Sequence, residues 1–275
     1  MASKVIITGA TGGMGRACAW LFGSAHELVL TDVGREPLEQ FAEELRDDGF
    51  RVLAFAGDIA SEPVLSRIAQ VADGTCPITL IHTAGIGPSQ ADWRTIISIN
   101  LIAAARVVRA VEPSLAAGSV AVLIASMAGY MMPPVPQLAA LVADPLAPGL
   151  LDALAPIVAE MAPEDGVEGN QGLAYILSKY GIHRLAENCA GPWGRKGARI
   201  ASISPGFIMT PMGRRELISS PTSAAHADTS PLGRRGTAMD IALAAQFLAS
   251  DAAAYVTGCD LRVDGGSTAV SRTDG

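Results

Sequence analysis

Seven short apolar runs rich in β-formers, separated by longer stretches of helical period, set the fold class of this chain. They lie at 4–8 (KVIIT), 27–31 (ELVLT), 51–56 (RVLAFA), 78–82 (ITLIH), 119–125 (SVAVLIA), 198–203 (ARIASI) and 259–263 (CDLRV). Helical periodicity falls near 14–23, 36–47, 62–72, 93–115, 173–190 and 238–249. Strands that alternate with helices of this length join as parallel neighbours through crossovers, which covers both faces of one sheet. Such a sheet needs much apolar material, and 49% of the residues are hydrophobic against 17% charged. The pattern predicts an α/β fold, a doubly wound seven-stranded parallel sheet in a single domain over residues 1–275.

Two stretches depart from the rhythm. Within 131–169, Leu150, Leu151, Leu154, Ile157, Val158 and Met161 recur at helical spacing between Pro148 and Pro163, which predicts a helical insertion. Residues 206–236 hold Gly, Ser, Thr, Pro and Arg without a clear period. A long irregular segment of that kind is expected to serve as a substrate loop. The polar residues after Gly266 are expected to fray.

The first run passes directly into Gly9-Ala10-Thr11-Gly12-Gly13-Met14-Gly15, after which a helix begins. Glycines there allow a tight turn and close approach of a pyrophosphate, and the free N–H groups of the following helix favour its charge. The plain alternative is an ordinary strand-to-helix connection. Asp32 follows at the end of the second run, 17 residues beyond Gly15. A carboxylate there can accept ribose hydroxyls and repels a 2′-phosphate, so a Rossmann-type site for NAD rather than NADP is expected. Arg16 and Arg35 stand close enough in sequence to soften that preference, and a solvated turn Asp is the alternative.

Tyr175 and Lys179 lie four apart on a predicted helix, which stacks them on one face. A tyrosine beside an ammonium is a plausible acid/base, because the cation favours the phenolate. The same spacing also suits a packing pair. Ser126 follows the fifth run and sits at the carboxyl end of a central strand, where open α/β sheets bind ligands; otherwise it is a turn serine. Asn100 falls on the apolar face of the 93–115 helix, so its amide needs buried partners or holds a water near Lys179.

Together these residues resemble the short-chain dehydrogenase/reductase family. The likeness rests on Thr8-Gly9-x-x-x-Gly13-x-Gly15, Asp58, Ala84-Gly85, Asn100, Ser126, Tyr175-x-x-x-Lys179, Pro205-Gly206 and Asp264-Gly265-Gly266, and covers nearly the whole chain. It implies that Asn100, Ser126, Tyr175 and Lys179 are catalytic. It implies a cofactor site formed by Gly9, Thr11, Gly12, Gly13, Met14, Gly15 and Asp32, with Asp58 and Ile59 on adenine and Ala84 and Gly85 lining the cofactor. Tyr175, Lys179, Pro205, Gly206, Ile208 and Thr210 would surround the nicotinamide. His82-Thr83-Ala84-Gly85 stands where the family often has Asn-Asn-Ala-Gly, which puts an asparagine contact in question.

The 49-residue interval from Ser126 to Tyr175, with GIGPSQ (85–90), GLAYILSK (172–179) and PLGRR (231–235), is similar to the 3α-hydroxysteroid dehydrogenase/carbonyl reductase subgroup. The resemblance implies an NAD-dependent enzyme interconverting an alcohol and a ketone. An apolar, steroid-like substrate is expected where 131–169 and 206–236 cover the site, and packing or a subunit contact is the alternative role of the insertion. It also implies a homo-oligomer. The competing readings are a catalytically silent NAD-binding sensor or scaffold and an NADP-linked ketoacyl reductase.

A net charge of −7 disfavours nucleic acid and anionic membrane as partners. The four cysteines, Cys18, Cys76, Cys189 and Cys259, are far apart with no metal-ligand spacing, so reduced thiols and no metal are expected. No apolar run spans a bilayer and no leader is legible before Lys4, which together predict a cytoplasmic protein.

Overall fold

The computed structural model describes residues 4–219 and 230–271. The seven strands are β1 (Lys4–Thr8), β2 (Glu27–Asp32), β3 (Val52–Ala56), β4 (Ile78–His82), β5 (Val120–Ile124), β6 (Arg199–Pro205) and β7 (Asp260–Val263). All pair in parallel in the order β3-β2-β1-β4-β5-β6-β7. The chain therefore winds outward from β1 in one direction, then returns to β4 on its other side. That reversal opens a crevice beyond the carboxyl ends of β1 and β4, the usual ligand position in such sheets.

Alternation along the strands feeds two cores. Ile6, Val29, Leu80 and Leu123 enter one, with residues of α3 (Glu62–Val71), α4 (Trp93–Ile97), α5 (Ala103–Val111) and α8 (Asn170–Gly194). Val5, Ile7, Leu30 and Val122 enter the other, beneath α1 (Gly13–Gly23), α2 (Arg35–Asp47) and α10 (Ala238–Ala249).

The insertion folds as α6 (Pro136–Ala143) and α7 (Leu150–Met161). Its Leu138, Val142, Leu150, Leu154 and Val158 are buried in the first core, against α8. At roughly 1.5–3 kcal/mol for each large side chain buried, this packing makes the insertion part of the core. Of the two roles expected for 131–169, a cover and packing, its helices take the second, while Met131, Val167 and Glu168 at its ends line a cavity.

Three further local differences have physical causes. The predicted 93–115 helix is interrupted at Ser98–Ile102 by a π-turn, whose one extra residue per turn leaves no hydropathy signature. Within 206–236, Pro211–Ser219 forms a helix, α9, with Pro211 in its first turn and the Thr210 hydroxyl accepting from the Gly213 amide at 3.1 Å. Residues 220–229 of that predicted loop lie outside the described residues. Beyond Gly266, Ser267–Ser271 is a short helix, α11, because Asp264 accepts from the Gly266 and Thr268 amides at 2.9 Å each. Among the described residues no helix is long and apolar enough to cross a membrane.

Candidate active site

Two adjoining cavities occupy the crevice. The larger, of about 620 Å³, is lined by the glycine turn (Gly9, Thr11, Gly12, Gly13, Met14, Gly15), by Asp32, Asp58 and Ile59, and by Ala84, Gly85 and Thr210. The turn is built for close approach. Gly9 has φ +66°, and a Cβ on it would lie 2.7 Å from the Ala84 Cα; one on Gly15 would lie 2.3 Å from the Gly9 carbonyl oxygen. No side chain caps α1 and its first turn holds no acid, so its N-terminal N–H groups and dipole suit an anion in the cleft.

Asp32 does two things at once. Its Oδ2 accepts from the Thr11 amide at 2.9 Å and the Thr11 hydroxyl at 2.7 Å, while Oδ1 accepts from the Val33 amide at 2.7 Å. The carboxylate ties the glycine turn to the end of β2 and still lines the cleft. Arg16 is turned away, paired with Glu44 at 2.6 Å and stacked 3.9 Å over Phe41. Arg35 does not line the cavity. Arg215 of α9 does, a residue that sequence reasoning missed because nothing local ties it to the distant glycine turn.

The smaller cavity, of about 230 Å³, brings together Ser126, Tyr175 and Lys179 with Pro205, Gly206, Ile208 and Thr210. Ser126 follows β5 and caps the 3-10 turn Met127–Met131, its Oγ accepting from the Ala128 amide at 3.1 Å. On α8, Lys179 is 6% exposed, and its Nζ donates to the Ile124 carbonyl at 3.1 Å and sits 5.6 Å from the Tyr175 ring centre. Burial pushes the Lys179 ammonium down to about 8, with Glu216 opposing. The Tyr175 phenol is raised above its ordinary value by burial and then by Glu216, while Ser126 draws it back. In the protein alone, desolvation of the phenolate outweighs the Ser126 hydrogen bond.

Glu216 of α9 is the other missed residue. It lines the cavity, and burial raises its carboxyl while Lys179 opposes.

Asn100 lines neither cavity. From the π-turn its Oδ1 accepts from the Ile86 amide at 2.8 Å, and its Nδ2 donates to the Ile86 carbonyl at 2.9 Å. The amide thus clamps the segment after Gly85 from behind. The missing asparagine contact at the end of β4 is replaced: His82 Nδ1 pairs with the Thr8 hydroxyl at 2.9 Å, and the Thr83 hydroxyl donates to the Thr8 carbonyl at 2.7 Å.

Residues 3–140 match the family described as short chain dehydrogenase, and residues 155–268 match the description Enoyl-(Acyl carrier protein) reductase. The chain belongs to the short-chain dehydrogenase/reductase family. Like other members, this short-chain dehydrogenase/reductase is an oxidoreductase of the alcohol and ketone type whose fold binds a nicotinamide cofactor. It is 31% identical to the 3-alpha-hydroxysteroid dehydrogenase/carbonyl reductase of Comamonas testosteroni, over 98% of each chain. It is 28% identical to a galactitol 2-dehydrogenase (L-tagatose-forming) of Cereibacter sphaeroides, over 95% of this chain and 93% of that one. Its fold superposes with a TM-score of 0.77 on the 3-alpha-hydroxysteroid dehydrogenase of Pseudomonas sp. B-0831 complexed with NADH, at 23% identity over 99% of this chain and 100% of the other. The narrower likeness seen in the sequence thus has its counterpart among the relatives.

Proposed function

We propose that this enzyme uses NAD to interconvert an apolar secondary alcohol and its ketone, with Tyr175 as the acid/base. The observation that carries the reading is the convergence of Ser126, Tyr175 and Lys179 on one cavity that adjoins the glycine cleft. The uncapped end of α1 and the glycine cradle fit a pyrophosphate, and Asp32 fits an unphosphorylated ribose. When bound, the nicotinamide supplies hydride acceptance or donation at its ring.

The chain's own residues supply the rest. Tyr175 Oη takes the proton of the reacting hydroxyl during oxidation and returns it to the oxygen during reduction. Ser126 Oγ orients that oxygen and stabilises charge developing on it. Lys179 keeps a cation beneath the phenol, and Asn100 holds the Ile86 backbone that borders both cavities. Met127, Met131, Ile176, Phe207 and Met212 give the substrate side an apolar wall. At about 230 Å³ the cavity falls below the usual range for drug-sized ligands, so a compact cyclic carbonyl fits it and a steroid requires α9 to shift. A homo-oligomer is part of the same reading.

Titration with NADH and NADPH by calorimetry, followed by a cofactor-coupled screen of cyclic ketones, polyols and steroids, tests the proposal. Tyr175→Phe is expected to lose at least about a hundredfold in kcat while NADH still binds. A variant that keeps full turnover removes Tyr175 from the chemistry, and binding of neither cofactor removes the whole reading.

A further inference from the structure

A second buried polar network lies on the far side of the 3-10 turn that Ser126 opens. His183 Nε2 stands 2.8 Å from Ser204 Oγ, and Ser204 Oγ donates to the Ser126 carbonyl oxygen at 3.2 Å. Ser204 is fully buried on β6, and His183 is 7% exposed on α8. The ring is wedged so closely that a Cβ on Gly129 would meet its Cε1 at 2.6 Å. Asp260 of β7 stands 3.5 Å from the same Nε2, and accepts from Ser202 Oγ at 2.5 Å and Tyr130 Oη at 2.8 Å.

The direction of this chain follows from the bond between Ser204 and the Ser126 carbonyl. A carbonyl oxygen can only accept, so the single Ser204 hydrogen points at Ser126. The Ser204 oxygen is then left to accept, and His183 must donate to it from a protonated Nε2. Asp260 beside that same nitrogen favours the same tautomer. The arrangement is therefore not a nucleophile and base: the serine hydrogen is spent on a backbone carbonyl, and serine and carboxylate share one ring nitrogen instead of flanking the ring. Burial holds the imidazole below its ordinary value, against Asp260 and Glu187 and with Lys179, so the neutral ring is the one whose tautomer matters.

His183 lies two helical turns after Tyr175 and one after Lys179, on the same face of α8. One helix thus carries the acid/base, its cation and, through Ser204, a hold on the main chain of Ser126. We propose that His183 is a positioning residue which, through Ser204, sets where the Ser126 hydroxyl stands relative to Tyr175. This rests on the roles given to Ser126 and Tyr175 above.

The test uses the NADH-bound enzyme labelled with ¹³Cζ-tyrosine and ¹⁵N-histidine. NMR is expected to show the His183 proton on Nε2, and a Tyr175 Cζ signal that moves in Ser204→Ala and His183→Leu but stays in place in His183→Gln, which keeps a donor near the Nε2 position. Ser204→Ala removes one oxygen atom, so it reports on the network even if His183→Leu fails to fold. With the best ketone from the cofactor screen, kcat is expected to fall about tenfold in Ser204→Ala with NADH affinity unchanged. The double variant Ser204→Ala/His183→Leu should lose no more than the worse single variant, because the two act as one chain. A proton on Nδ1 alone, or a Tyr175 signal unmoved in Ser204→Ala, overturns the proposal. If Tyr175→Phe retains turnover, the catalytic reading falls instead, and the NMR result still decides whether this chain holds Ser126.

Discussion

The two halves of the crevice are made in different ways. The cofactor cleft draws its floor from consecutive strand ends within the first 90 residues, and much of its surface is backbone: glycines that admit a ligand and amides that face it. The second cavity shares Ile86 and its neighbours with the first, but its polar groups are side chains from the end of β5, α8 and α9: Ser126, Tyr175, Lys179 and Glu216. A backbone site is rigid and intolerant of added atoms, whereas a side-chain site is tuned by burial and by charges several residues away. The contrast predicts all-or-none behaviour in one half and graded behaviour in the other.

The sharpest break belongs to the backbone half. Gly15→Ala drives a methyl to 2.3 Å from the Gly9 carbonyl oxygen, so the turn must open. NADH affinity is expected to fall at least about a hundredfold by calorimetry, with a stability loss of about 1–3 kcal/mol in urea unfolding. Asp32→Ala comes next, because it removes the side-chain acceptor that joins Thr11 and, in the proposed reading, would accept from the ribose. Loss of a charged hydrogen bond of about 1.5–3 kcal/mol corresponds to a roughly ten- to hundredfold weaker NADH complex, and the ratio of NADH to NADPH affinity should shrink with it. An unchanged ratio would mean that Asp32 serves the turn alone.

Two further effects concern charge. Burial and then Lys179 push His82 down to about 3, so the unfolded chain binds a proton between pH 6.5 and 3 that the folded chain refuses. Stability contributed by the neutral ring is present above pH 6.5 and is lost as pH falls, at about 1.4 kcal/mol per pH unit. His82→Asn should flatten that slope in denaturation curves taken from pH 7 to 4. The smallest shift is expected from Glu216→Gln. The carboxylate raises both Tyr175 and Lys179, so its removal lets both titrate lower, and the pH profile of kcat should move toward acid by a few tenths of a unit.

The same division explains what was legible in the sequence. Strand placement followed from short apolar runs, and the boundaries of β4 agree residue for residue. Gly9 to Gly15, Asp32 and the Tyr175–Lys179 pair announce themselves through local spacing, and the cavities contain them. Glu216, Arg215, His183 and Ser204 act only through partners tens of residues away, and no periodicity marks them. The insertion was legible as a helix, and packing was one of its two expected roles, since an amphipathic face does not reveal which surface it meets. Asn100 was rightly singled out as a buried amide needing partners, yet the π-turn that aims it at Ile86 is a backbone irregularity with no compositional cue.

That irregularity has a consequence for how the enzyme can vary. A π-turn spends about one more residue than an α-turn on the same rotation, so deleting one residue between Ser98 and Ile102 would return the segment to ordinary pitch with its flanks still in phase, and the change would fall on the residues of the turn itself. Asn100 would then leave Ile86, and the border shared by the two cavities would lose its clamp. Substitution can tune this part of the molecule in small increments, but a change of length here acts as a switch with two positions.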